Sequence, residues 1–360
     1  MRKYSVAVVG ATGMVGQRFV SLLENHPWFD LTQVAASPKS AGKTYEEAVG
    51  ARWAFDWPIP EKVRGMVVVD ASNVQAVSEK ADFIFCAVDM PKDEIRALEE
   101  QYARCETPVV SNNSAFRATG DVPMMIPEIN PEHMAVIPFQ RKRLGTRVGF
   151  VTCKPNCSIQ GYVPALTPLR EFGVRQISVC TYQAISGAGK TFKIWPEMVD
   201  NVIPFIGGEE LKSEVEPLKI WGTLENGVIV PAAAPVISAQ CYRVAASDGH
   251  MAAVSVKFDH APSEDEILSR WDAYAGLAQK YQLPSAPEKF LTYFAEENRP
   301  QTRLDRDLYG GMGVSIGRLR KDPIFDYKFV SLAHNTLRGA AGGAVETAEL
   351  LCHEGYIVHK

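Results

Sequence analysis

SVAVVGATGMVGQRF, residues 5–19, passes from an apolar β-forming run through three glycines into a helix-forming segment. Gly10, Gly13 and Gly16 stand in a G-x-x-G-x-x-G spacing, with Thr12, Met14 and Val15 between and beside them. Glycine at these points permits a tight turn and lets backbone N–H groups approach a pyrophosphate, which then meets the positive end of the following helix. The spacing alone matches many glycine turns. Its place between the first strand and the first helix is what the dinucleotide-binding mechanism requires. These six residues are therefore the expected phosphate turn of a nucleotide-binding α/β domain.

Outward from that turn the chain continues to alternate. LTQVAAS (31–37), GMVVVD (65–70), DFIFCAV (82–88) and PVVSN (108–112) read as strands, and DEIRALEEQYAR (93–104) reads as a helix. Such alternation predicts a doubly wound parallel sheet. From about residue 149 the pattern changes to longer strands, RQISVCTYQAI, AQCYRVAA, HMAAVSVKF, GVSIGRLR and YKFVSLA, with helical stretches near 157–171, 209–221 and 263–281. These predict an α+β domain built on a mixed sheet. The expected division is a Rossmann domain at 1–148, completed by an alanine-rich C-terminal segment at 335–360, and a second domain at 149–334.

With 360 residues, 46% of them hydrophobic, and a net charge of -4, the chain has the composition of a globular protein with a large core. No basic tail or block points to nucleic acid, and no apolar run approaches the ~18 residues of a membrane span. The opening MRKYSVAVVG enters a strand at once, so no signal peptide is expected. The seven cysteines are scattered and odd in number, which suits reduced thiols in the cytoplasm. No second Cys or His pair lies at zinc-like spacing from Cys153 and Cys157, so no metal is expected.

The end of the second strand selects the nucleotide. An NAD site places a carboxylate there for the ribose 2′-hydroxyl. VAASPKSAGK (34–43) offers instead Ser37, Lys39, Ser40 and Lys43, which suit the 2′-phosphate of NADP(H). AISGAGKT (184–191) resembles a phosphate-binding P-loop, but it begins with alanine and follows a strand of the second sheet.

KPNCSIQ (154–160) places Cys157 where a strand gives way to a helical stretch. A helix N-terminus is expected to stabilise its thiolate and to suit it for acyl transfer, whereas Cys153 belongs to the strand and the core. A thiol nucleophile beside a nicotinamide implies reduction of an acyl group through a thioester, with an acid/base nearby. His250, which starts a strand after an Asp-Gly turn, is one candidate; a satisfied strand-end histidine is the other reading.

These stretches, together with SNNSAFR, IPEINPEH, YQAISGAGK, NVIPFIGGEE, YRVAASDGH, NRPQTRLDRD and HNTLRGAAGGA, resemble the aspartate-β-semialdehyde dehydrogenase family nearly end to end, in its archaeal and fungal branch. The resemblance implies a glyceraldehyde-3-phosphate-dehydrogenase-like catalytic and dimerisation domain, and Cys157 as nucleophile with His250 as acid/base. It implies Gln183 orienting substrate, Arg243 on the α-carboxylate, Glu209 on the ammonium, Lys212, Arg117 and Asn113 at the phosphate, and Asn156 beside the thiol. Ser186, Gly187 and Asn335 would face the cofactor. Leu211 stands where the family commonly has a further glutamate, so Glu210 competes with Glu209. The implied reaction is NADPH-dependent reductive dephosphorylation of L-aspartyl-4-phosphate to L-aspartate-4-semialdehyde and inorganic phosphate, in lysine, threonine and methionine biosynthesis, by a homodimer or homotetramer. Related reductases acting on malonyl-CoA or N-acetylglutamyl phosphate are the competing expectations, and a cofactor-binding regulator without catalysis is a further one.

Overall fold

The computed structural model describes residues 2–360. Six parallel strands, β1 (Tyr4–Val9), β2 (Phe29–Ala36), β3 (Val69–Asp70), β4 (Phe83–Cys86), β5 (Val109–Ser111) and β6 (Val151–Cys153), form a sheet in the order β3-β2-β1-β4-β5-β6. This is the dinucleotide-binding order, with its switch point between β1 and β4. The central strands are buried on both faces, as continuous runs such as VAVV and FIFC require. β3 keeps only two residues of GMVVVD, because it is an edge strand paired solely at Val69 and Asp70.

The second sheet contains β7 (Val174–Gln183) and β8 (Val202–Ile203), followed after a ribbon of β9 (Thr223–Glu225) and β10 (Val228–Val230) by β11 (Val236–Val244), β12 (His250–Phe258), β13 (Leu291–Phe294), β14 (Val314–Lys321) and β15 (Tyr327–Ala333). Its order is β13-β14-β15-β12-β7-β11-β8, with β7/β11 and β13/β14 parallel and the other neighbours antiparallel. On β12 and the outer part of β11 burial alternates, so one face packs into the core.

Three expectations shift. β6 follows residue 148 yet pairs with β5, so the nucleotide sheet continues past the expected 148/149 boundary. The helical stretch near 157–171 breaks into a turn at Ser158–Gln160, a helix at Tyr162–Leu166 and a tighter turn at Thr167–Phe172. Pro164 and Pro168 remove backbone donors there and prevent one continuous helix. The C-terminal helix begins at Ala341 rather than near residue 336. Its preceding segment folds back so closely that a Cβ on Gly339 would meet the Asn335 carbonyl at 2.3 Å.

That helix, Ala341–His353, packs with α1 (Met14–Leu23) and with the apolar residues of β1 and β2. It is pinned by Arg338, whose guanidinium donates to both Glu128 oxygens at 3.0 and 2.8 Å, to Glu346 at 2.6 Å and to the Met312 carbonyl at 2.8 Å. The three charged side chains are fully buried. Replacing Arg338 by Met leaves two buried carboxyl groups, of which Glu346 is already pushed well up by burial, without their cation, an effect of about 3–5 kcal/mol. The Arg338→Met protein is expected to show that loss in its urea unfolding midpoint.

Candidate functional site

The carboxyl ends of β1, β2 and β4 open onto a cavity of about 510 Å³ lined by Gly10, Thr12, Gly13, Ser37, Arg52 and Asp70. Gly10 has φ +89°, and a Cβ there would lie 2.3 Å from the Ala87 carbonyl. A Cβ on Gly16 would meet the Gly10 carbonyl at 2.1 Å, so this glycine lets α1 pack on the turn. Gly13 is different. It is exposed, its missing Cβ would make only ordinary contact, and it heads α1 with no side chain capping the helix. Protein packing does not demand glycine there, whereas close approach of a phosphate does. The residues therefore fit a dinucleotide, and Met14 and Val15 supply the first turn of the helix beneath it.

At the end of β2, Ser37 lines the cavity and no carboxylate follows it directly. Ser40 is buried and its N–H closes a turn on the Ser37 carbonyl at 2.9 Å, so it shapes the loop from beneath. Lys39 and Lys43 are exposed on the same loop and do not line the cavity. Arg52, a cation in the cavity wall, went unnoticed in the sequence because it lies outside any motif.

Cys157 is partly exposed beyond β6, at the head of the Ser158–Gln160 turn. The helix that follows has only five residues, so its dipole has little to offer. The expected lowering of the thiol is not found. Burial, and then the Glu209 carboxylate, push it up to about 11, against the opposing pull of Lys154, Arg117 and Arg243. Cys153 lies in the core, and burial raises its thiol as well.

The helix Glu209–Ile220 organises one wall. Glu209, Lys212, Glu216 and Lys219 fall at helical spacing on one face. Glu209 accepts from Asn156 Nδ2 at 3.1 Å to each oxygen and from Lys212 Nζ at 2.7 Å. Glu216 accepts the Asn156 backbone N–H at 2.6 Å and Arg117 Nη1 at 3.1 Å. Lys219 donates to the carbonyls of Arg117, Thr119 and Val122, at 2.7–2.9 Å, and so holds the Arg117 loop. Glu210 turns away to the Cys241 N–H at 3.3 Å, which places Glu209 on the site side. Asn156 Oδ1 also accepts the N–H and hydroxyl of Ser158, fixing the turn that carries Cys157.

The opposite wall comes from the second sheet. Gln183 and Arg243 are register partners on β7 and β11, and Gln183 Nε2 approaches Glu209 at 3.4 Å. A single residue, Ala184, orders two side chains: its carbonyl accepts Arg243 Nη1 at 2.7 Å and its N–H donates to His250 Nδ1 at 3.1 Å. Nδ1 is thereby an acceptor, and the ring proton resides on Nε2, a buried atom with no partner among the described residues. Gly187 lies on this pair, since a Cβ there would be 2.9 Å from Arg243 and 3.0 Å from His250. The P-loop-like segment is therefore a turn closing over the imidazole.

Two expected contact residues are occupied by protein partners. Asn335 Oδ1 accepts the Gly249 N–H at 2.8 Å, while its Nδ2 donates to Ser186 Oγ at 2.8 Å. It braces the start of β12 and the 186–187 turn. Asn113 Nδ2 donates to buried Glu99 at 2.8 Å, which shapes the loop leading to Arg117. Glu216, Lys219 and Lys154 were missed in the sequence. The first two had a legible signal, four alternating charges at helical spacing on a helix otherwise read as a solvated pair.

Burial, aided by Arg243, lowers His250 to about 3 from its ordinary 6.5. The folded protein thus takes up this proton later than the unfolded chain as pH falls. The contribution to stability is complete above about pH 6.5 and is lost on acidification towards about 3, at no more than ~1.4 kcal/mol per pH unit. Ring-nitrogen NMR is expected to find His250 neutral, with its proton on Nε2, throughout the neutral range.

The model of the semialdehyde dehydrogenase NAD binding domain matches residues 5–137, and that of the semialdehyde dehydrogenase dimerisation domain matches 166–338. The chain is 45% identical to the aspartate-semialdehyde dehydrogenase of Methanothermobacter thermautotrophicus, covering 96% of this chain and 98% of that one. It is 40% identical to that of Saccharomyces cerevisiae, over 97% and 98% of the two chains. Among solved structures, the Candida albicans aspartate-semialdehyde dehydrogenase with NADP superposes at a TM-score of 0.88, with 35% identity and coverage of 99% and 100%. With this sequence, this strand order and relatives of both kinds along its whole length, the chain belongs to the aspartate-semialdehyde dehydrogenase family.

Proposed function

We propose that the protein reduces L-aspartyl-4-phosphate with NADPH to L-aspartate-4-semialdehyde, releasing inorganic phosphate, in the shared route to lysine, threonine and methionine. The observation that carries this reading is the cluster around the Asn156–Cys157 turn: Glu209 accepts from Asn156, Lys212 and Gln183, Glu216 holds Arg117 against the Asn156 N–H, and Arg243 stands beside Gln183. An amino-acid acyl phosphate presents an ammonium, a carboxylate and a phosphate. Glu209 suits the ammonium, Arg243 the carboxylate through its planar fork, and Arg117 with Lys212 the phosphate. A CoA thioester or an acylated nitrogen would leave the buried Glu209 without a cationic ligand group.

The Cys157 sulfur attacks the acyl carbon, the C–O bond to phosphate breaks, and the leaving group gathers charge beside Arg117 and Lys212. Glu216 keeps Arg117 aligned for that task. His250 donates its Nε2–H to the acyl oxygen as negative charge develops there, a fixed donor in a water-poor site. Gln183, tied to Glu209, borders the same space. When bound, NADPH supplies the hydride that reduces the thioester. The tetrahedral oxygen, held as an oxyanion by the His250 Nε2–H, re-forms its double bond to carbon as the C–S bond breaks, and the aldehyde leaves the regenerated thiolate.

The second domain carries the surface for self-association. Tyr182, Val202, Phe205, Leu211 and Val236 are large apolar residues exposed on or beside β7, β8, β11 and the helix Glu209–Ile220. A homodimer or homotetramer would cover them. All seven cysteines are free thiols, which supports a cytoplasmic protein.

In the reverse direction, purified protein given the semialdehyde, phosphate and NADP is expected to form NADPH, read by absorbance. Cys157→Ala should reduce that rate by at least about 1,000-fold; retention of activity would rule out the thioester. For the cofactor, Ser37→Asp places a carboxylate at the end of β2 where a 2′-phosphate would lie. It is expected to reduce the kcat/KM preference for NADPH over NADH by about tenfold or more.

A further inference from the structure

The cofactor cavity carries an imbalance of charge. Among the described residues that line it are three carboxylates, Asp70, Asp89 and Glu94, and one cation, Arg52. A dinucleotide with a 2′-phosphate adds a pyrophosphate and a phosphate monoester to that wall, each of them anionic. The glycine turn and the head of α1 serve the pyrophosphate through backbone N–H groups. The monoester calls for a cation, and Lys39 and Lys43 do not line the cavity.

Arg52 ends a tight turn, Gly50–Arg52, that follows the short helix Tyr45–Val49. This piece of chain is built onto the glycine turn. The Tyr45 hydroxyl donates to the Ala11 carbonyl at 2.9 Å, and its ring is fully buried. Gln17, buried on α1, commits its whole amide to the same junction. Nε2 donates to the carbonyls of Thr12 at 3.0 Å and Arg52 at 3.1 Å, and Oε1 accepts the Ala54 N–H at 2.8 Å. The backbone at Arg52 is thereby fixed while its side chain stays exposed to the cavity. Its Nη2 donates to the Ala48 carbonyl, which orients the guanidinium, and Nε and Nη1 have no partner among the described residues. Asp70, at the end of β3, accepts the N–H and hydroxyl of Ser72 at 2.9 and 2.7 Å instead of pairing with it. A planar fork with free N–H groups, sharing the cavity with Ser37 at the end of β2, is what a phosphate monoester on the ribose requires.

We propose that Arg52 receives the 2′-phosphate of NADPH and sets the preference for it over NADH. Gln17 is the positioning residue, because it fixes Arg52 relative to the turn that holds the pyrophosphate. One glutamine thus sets the spacing between the two phosphate subsites of a single ligand. The inference rests on NADPH being the reductant, but its test needs neither substrate nor turnover.

The test is calorimetric binding of NADP and of NAD, which differ only in the 2′-phosphate, to the full chain. Arg52→Met is expected to weaken NADP by about tenfold or more and to leave NAD within about twofold. Arg52→Lys keeps the charge without the fork and should fall between the two. Gln17→Leu leaves the Arg52 side chain in place, yet it should lower the ratio of NADP to NAD affinity. Added to Arg52→Met it should lower that ratio no further, since the two act through one contact. A glutamine with a structural role alone would leave the ratio unchanged. Equal weakening of both nucleotides in Arg52→Met would put Arg52 on the pyrophosphate, and unchanged binding of both would put it outside the site; either overturns the proposal. Position 52 is exposed, so Arg52→Met decides should Gln17→Leu fail to fold. A wild-type protein that binds NADP no tighter than NAD contradicts the NADPH reading itself, and this proposal falls with it.

Discussion

Arg338 ties together pieces of chain that are far apart in sequence: Glu128 between β5 and β6, the carbonyl of Met312 before β14, and Glu346 in the C-terminal helix. Taking ionisable groups such as these out of water costs several kcal/mol per ion, and their mutual attraction does little more than offset it. What the cluster provides is geometry. Its planar fork accepts few arrangements of two carboxylates. The same segment carries Asn335, which braces Gly249 just before His250, and Gly343, on which Lys154 lies. The imidazole, the buried amine and the helix that closes the nucleotide domain are positioned by one buried guanidinium.

A second element has comparable reach. The helix Glu209–Ile220 delivers Glu209, Lys212, Glu216 and Lys219 from one stripe, and each meets a different part of the site. Glu216 is the hinge of that arrangement, because its two oxygens hold the backbone before the nucleophile and the arginine expected at the phosphate. Rotation of the helix by one residue would present Glu210 instead, which is committed to the backbone of β11. Helical periodicity thus favours Glu209 over Glu210 where the linear motif left both open.

Much of this was legible in the sequence. The three glycines at the first strand–helix junction, the alternating apolar runs and the absence of a carboxylate after Ala36 rest on local chemistry, which sequence reports directly. Cys157 and His250 were legible as residues, but their protonation was not. The helix dipole that a Cys at a helix start suggests is spent where prolines break the helix, and burial decides the thiol instead. β6 was assigned across a boundary because strand pairing is non-local: nothing in Val151–Cys153 names Val109–Ser111 as its partner. Lys154 escaped because a lysine beside a proline reads as exposed, and only its packing against Gly343 shows otherwise.

The charges around Cys157 also explain how a thiol held high can still serve as nucleophile. Glu209 is the nearby anion that opposes ionisation, while Lys154, Arg117 and Arg243 favour it. A substrate ammonium seated on Glu209 would neutralise that opposition at the moment the acyl carbon arrives. A phosphate dianion on Arg117 would act in the other direction until it departs. The two effects oppose each other while the acyl phosphate is bound, and only that of the ammonium remains once the phosphate has left, when the sulfur must again become a leaving group.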